Sequence, residues 1–218
     1  MELKNKKINV LGDSITEGSG ASSTEKRFAD LLAKDTGAIV RNYGIGGTRY
    51  AKQATPSAAP RHDLDFCQRS TEMDPDADII VVFGGTNDFG HGDAPIGTPD
   101  DRTKDTFYGG LHELYTSLIE KYPAAQIVIL TPLHRCNEDN PRGDGNKPED
   151  VGNLKFYTNI IREVAEWYSL PVLDLFASSG MQPRVPVIQE KYIPDGLHPN
   201  DAGNRILADK VIAFLKNL

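Results

Sequence analysis

Five apolar runs of strand length recur along the chain, and stretches with helical spacing lie between them. The runs cover residues 7–12, Ala38–Asn42, Asp78–Phe83, Gln126–Leu130 and Pro171–Asp174. The middle runs, such as Ile79-Ile80-Val81-Val82-Phe83, lack strict alternation, as strands buried on both faces do. Phe107, Leu111, Leu114, Leu118 and Tyr122 step by four and three along one helix face that ends before Pro123. Tyr157, Ile161, Val164 and Tyr168 repeat that spacing, as do Leu207, Val211, Phe214 and Leu218. Residues 24–35 read as a shorter helix carrying Phe28, Leu31 and Leu32. Strand alternating with helix predicts parallel strands joined by right-handed crossovers. The expected class is α/β, a three-layer α/β/α sandwich around a five-stranded parallel sheet.

Composition narrows this picture. With 218 residues, 39% of them hydrophobic, the chain suits one well-cored domain over 1–218, and no repeat or linker divides it. The net charge is −7 and no basic cluster exceeds Lys4-Asn5-Lys6-Lys7, which excludes nucleic acid and anionic membrane surfaces as partners. Cys67 and Cys136 sit in no paired or metal-like spacing and read as two reduced thiols. The first residues carry no apolar signal region, and no apolar stretch approaches the ~18–20 residues of a membrane span. A cytoplasmic location is expected. Nothing in the sequence sets an oligomeric state.

In parallel sheets the site lies at the carboxyl ends of the strands, and the candidate chemistry falls there. Gly12-Asp13-Ser14 follows the first run, Asn42–Thr48 the second, Gly84-Gly85-Thr86-Asn87-Asp88 the third and Thr131–His134 the fourth. Asp195-Gly196-Leu197-His198 lies between the fifth run and the last helix. Acyl transfer needs a nucleophile, a base, a group that orients the base, and donors for the oxyanion. Ser14 fits the nucleophile and His198 the base. Asp195, three residues before His198, is placed to hold the imidazole Nδ1–H. Asp13 competes for that task, but the spacing favours Asp195 and leaves Asp13 as a brace for the turn. The backbone N–H groups of Ser14 and Gly47 and the Asn87 amide are natural oxyanion donors.

These blocks, in this order, resemble the SGNH-hydrolase superfamily, the GDSL-like esterases and lipases, over residues 7 to 204. The four naming residues would be Ser14, Gly47, Asn87 and His198, with Gly46 a rival for Gly47 because Gly44, Gly46 and Gly47 crowd together. Ile15 stands where the GDSL name has leucine. The resemblance implies a flavodoxin-like sheet and a metal-free hydrolase that uses no cofactor. It further implies a small-molecule ester as substrate, on a carbohydrate, a lipid or another small compound.

The loops His91–Arg102 and Cys136–Asp150 are rich in Gly, Pro, Asp and Asn and read as functional rims. Their lack of bulky apolar residues points to a short, acetyl-like acyl group on a polar alcohol such as a sugar. A lysophospholipase- or thioesterase-type activity, or acyl transfer at the same Ser-His-Asp site, is the alternative. A phosphate or flavin binder with a similar sheet would leave Asn87 and the Asp195–His198 pair without a task. His91 and His134 are candidates for substrate contacts. His62 and His112 read as solvated or core helix residues, Asp88 as a partner of loop amides and Trp167 as core. No His, Asp or Glu set has the spacing of a required metal site.

Overall fold

A computed structural model describes residues 1–218. Strands β1 (Lys7–Gly12), β2 (Ile39–Gly44), β3 (Ile79–Phe83), β4 (Gln126–Leu130) and β5 (Val172–Leu173) form one sheet. Their order is β2-β1-β3-β4-β5, with every neighbouring pair parallel. This is the flavodoxin-like order, and its switch point falls between β1 and β3. The register pairs Gly12 with Gly44 on one side and with Phe83 on the other.

Nine helices complete the chain. They are α1 (Ser14–Glu17), α2 (Phe28–Thr36), α3 (Phe66–Thr71), α4 (Thr86–Gly90), α5 (Phe107–Lys121), α6 (Leu154–Trp167), α7 (Leu175–Ser178), α8 (Pro186–Tyr192) and α9 (Asp201–Lys216). The period-2 geometry of the strands divides their side chains between two cores. Ile79, Val81 and Phe83 of β3 pack with Phe28 and Leu32 of α2 and Leu207 and Val211 of α9. Ile80 and Val82 face the other way, toward Phe66 of α3, Leu111 and Leu114 of α5 and Ile161 of α6. Burial on both faces explains the unbroken apolar run of β3.

Several local expectations shift. Residues 24–35 are not one helix: Arg27 is extended (φ −67°, ψ 146°) between a 3-10 turn at Thr24–Lys26 and α2. The fifth strand shrinks to Val172–Leu173, because Pro171 has no N–H to pair and Asp174 turns away to cap α7, accepting Ala177 N–H at 3.1 Å. Trp167 is not core but 69% exposed. Tyr168 takes the next inward position after Val164 and packs on the core, and the Arg102 guanidinium lies over the Trp167 ring at 5.7 Å. Cys67 is buried and Cys136 exposed, and both are free. No helix is long and apolar enough to cross a membrane.

Candidate active site

The chain turns sharply after β1 because Gly12 has no side chain; a Cβ there would lie 2.0 Å from Thr16 Oγ1. Asp13 caps α1 by accepting Ile15 N–H at 3.0 Å, and Gly18, at φ +104°, ends that single turn. Ser14 therefore stands at the first position of a helix, with its N–H outside the intrahelical ladder. Asp13 is buried, and desolvation raises its carboxyl to about 6 despite the Ile15 N–H and the nearby His198 and Arg69.

The far end of the chain meets Ser14 in space. Ser14 Oγ lies 3.0 Å from His198 Nε2, and His198 Nδ1 lies 2.6 Å from Asp195 Oδ2. The same carboxylate accepts Leu197 N–H at 2.8 Å and His198 N–H at 2.7 Å. Burial opposes its ionisation, but these N–H groups and the imidazole hold it below the usual carboxylate range. Gly196, at φ +80°, makes the turn possible, and its carbonyl accepts Cys136 N–H at 2.9 Å. Buried Asn204 accepts Phe28 N–H at 3.0 Å and donates to Pro199 O at 2.8 Å, tying the start of α2 to the residue after His198.

Gly47 and Asn87 arrive from β2 and β3. Asn87 Nδ2 donates one hydrogen to Thr48 O at 3.0 Å and keeps its second. Gly46 gives its N–H to Glu17 Oε2 at 2.7 Å, whereas the Gly47 N–H has no partner within the chain. Gly47 has φ +77°, and a Cβ on it would lie 2.7 Å from the His62 ring. Arg69, buried on α3, donates to Gly12 O at 2.9 Å, Thr48 Oγ1 at 2.6 Å and Tyr43 O, joining the ends of β1 and β2. Buried Asp88 accepts Tyr50 N–H at 3.1 Å and Ala51 N–H at 3.0 Å, so α4 and the Gly47 segment hold each other.

These groups open into a cleft of about 340 Å³ in which Leu197 is the single apolar lining residue. His91 lines it, with Nδ1 2.9 Å from Arg49 Nη1; desolvation and then Arg49 push its imidazole down to about 4. His134 does not line the cleft. Glu138, four residues on, takes its Nδ1 at 2.7 Å, and its ring stacks 4.0 Å from Phe176. His112 is buried on α5 against the Tyr168 hydroxyl at 2.9 Å. His62, read as a solvated or core helix residue, is exposed, as the solvated reading has it, but sits in a 3-10 turn and also lines the cleft. Glu17 and Asp144 also line it and were not singled out by sequence. Glu17 lies three residues after Ser14, one helical turn, and that spacing was the available signal. Burial disfavours its charge, but Arg61 and the Gly46 N–H outweigh this and hold its carboxyl low.

A profile of the GDSL-like lipase/acylhydrolase family matches residues 10–206. The chain belongs to this family of carboxylic ester hydrolases. This GDSL-family chain is 28% identical to a GDSL esterase/lipase of Arabidopsis thaliana, over 98% of its own length and 87% of the relative's. A solved structure from Lactobacillus plantarum is 30% identical and superimposes with a TM-score of 0.82, covering 98% of both chains. A carbohydrate acetylesterase family member from Sinorhizobium meliloti shares the fold at 19% identity, with a TM-score of 0.65 over 97% of this chain and 98% of that one.

Proposed function

We propose that this GDSL-family enzyme removes a short, acetyl-like acyl group from a carbohydrate or other small polar alcohol through an acyl-Ser14 intermediate. The observation that carries the reading is the chain of contacts from Ser14 to His198 to Asp195, at 3.0 and 2.6 Å, opening into a cleft with one apolar lining residue. With Asp195 accepting from Nδ1–H, Nε2 offers its lone pair to Ser14 Oγ–H. His198 takes that proton as Oγ attacks the ester carbonyl, and Asp195 stabilises the imidazolium. The oxyanion receives the N–H groups of Ser14, Gly47 and the free hydrogen of Asn87. His198 then returns the proton to the departing alcohol, and water repeats the sequence to release the acid. With Leu197 its single apolar lining residue, the cleft gives a long acyl chain few apolar side chains to pack on, which favours acetyl-sized groups.

A series of nitrophenyl esters from acetyl to octanoyl, together with acetylated sugars, tests the reading. The expected optimum is acetyl or close to it, with turnover lost in Ser14→Ala and a fluorophosphonate adduct on Ser14 of the wild type. An optimum at octanoyl or beyond overturns the acyl-size assignment, and absence of the adduct overturns the nucleophile.

A further inference from the structure

Two buried guanidiniums stand behind the cleft wall, and each holds one atom of a side chain that lines the cleft. Arg49, 2% exposed, places Nη1 2.9 Å from His91 Nδ1 and is anchored from behind by His62 O at 3.0 Å. A guanidinium has donors only, so His91 Nδ1 is the acceptor and the ring proton sits on Nε2. His91 Nε2–H has no partner within the chain and is not sealed from solvent. Arg135, 6% exposed, pairs with Asp144 Oδ1, which also accepts Asn137 Nδ2 at 2.7 Å. Asp144 Oδ2 has no such partner.

The two groups are brought together by backbone. Asp144 N–H donates to Gly90 O at 2.7 Å, so the rim loop is bonded to the residue just before His91. The approach depends on glycine from both sides. A Cβ on Gly90 would lie 2.6 Å from Asp144 Oδ2, and one on Gly143 would lie 2.2 Å from Phe89 O. The result is a neutral donor and an anionic acceptor lining one cleft, each held by a guanidinium that solvent barely reaches. A single hydroxyl can bridge the two, accepting from Nε2–H and donating to Oδ2, but then each wall group shares its partner. Adjacent hydroxyls, each both donor and acceptor, use the two together.

Granted the acyl-Ser14 reading above, on which this step rests, we infer that His91 Nε2–H and Asp144 Oδ2 bind neighbouring hydroxyls of a polyol, the alcohol half of the ester. Arg49 and Arg135 are positioning residues for this pair: they touch His91 and Asp144 and fix which atom each presents.

The test compares kcat/KM for a sugar monoacetate that retains free hydroxyls with kcat/KM for ethyl acetate, which offers the same acyl group and none. In the wild type the ratio favours the sugar ester. It falls about tenfold in His91→Phe and about tenfold in Asp144→Ala, the effect of losing one hydrogen bond to a polar or charged partner. His91→Gln, which restores an N–H near Nε2, recovers part of the loss. Labelling of Ser14 by a fluorophosphonate in each variant establishes that the site is assembled. Ratios unchanged in both labelled variants overturn the polyol pair while leaving the esterase reading intact. A wild type that turns over neither ester overturns that reading, and the pair with it.

Discussion

The two halves of the site are built differently. The half that carries Ser14, Gly47 and Asn87 grows from the ends of three adjacent strands, with Ser14 9% and Asn87 5% exposed. Beneath it lie Asp13, Asp88 and Arg69, all buried and all bonded to backbone. The half that carries Asp195 and His198 is a loop between α8 and α9, with the Asp195 side chain 52% exposed. Donors that must meet a developing oxyanion gain most from rigid, dry surroundings. A base that moves a proton twice in each turnover needs orientation, and a turn with three hydrogen bonds to one carboxylate supplies it. The buried braces under the strand-borne half are therefore bound up with folding stability more than the exposed turn that carries the base.

This contrast can be broken by mutation. The largest effect belongs to Ser14→Ala: kcat on a good ester falls by about 10⁴-fold or more, with the melting curve essentially that of the wild type. Asn87→Ala follows, with kcat lower by on the order of 10²–10³-fold; near-full activity would remove Asn87 from the oxyanion site. Asp13 tests the link to stability. Its folded carboxyl sits at about 6 against 3.8, raised by desolvation, so the folded state binds the proton more tightly. Asp13's own contribution to stability is then highest below about pH 4, falls as pH rises to about 6, and settles about 3 kcal/mol lower above that window, opposite in sign to that of carboxylates held low such as Glu17 and Asp195. Asp13→Asn keeps an oxygen for the Ile15 N–H and removes that contribution, so the difference in urea midpoint between variant and wild type changes from acid to neutral pH. On the loop, Asp195→Ala lowers kcat by about 10²-fold, less than loss of a buried triad carboxylate because water already screens this one. Its melting temperature stays close to that of the wild type; a large drop would erase the difference between the halves.

What could be read from residue order alone follows the same division. β3 announced itself as five consecutive apolar residues, because double burial leaves no polar position in the strand. Ser14, Asn87, Asp195 and His198 stood out because each lies in a short local motif at a strand end or before a helix, and the folded chain brings all four to one cleft wall or its support. Arg69 and Asp144 were illegible: one reaches Gly12 across 57 positions, and the other gains meaning only from Gly90 and Arg135 beside it. Such partnerships carry no periodic signal. His134 shows the converse error. A histidine at a strand end looked like a pocket residue, but Glu138 was near enough in sequence to claim it. Trp167 lies outside the core, against expectation, because its neighbour Tyr168 holds the inward helical phase.

The pairing of Gly12 with Gly44 and Phe83 has one more consequence. The proposed nucleophile and oxyanion donors branch from the ends of three neighbouring strands at one register level, so their spacing is inherited from how those strands align. A slip of one residue would carry a donor about 3.3 Å along its strand and turn its neighbours inside out. Ester turnover thus works as an internal gauge of sheet alignment: a compact but mis-threaded chain would be catalytically silent long before it looked unfolded.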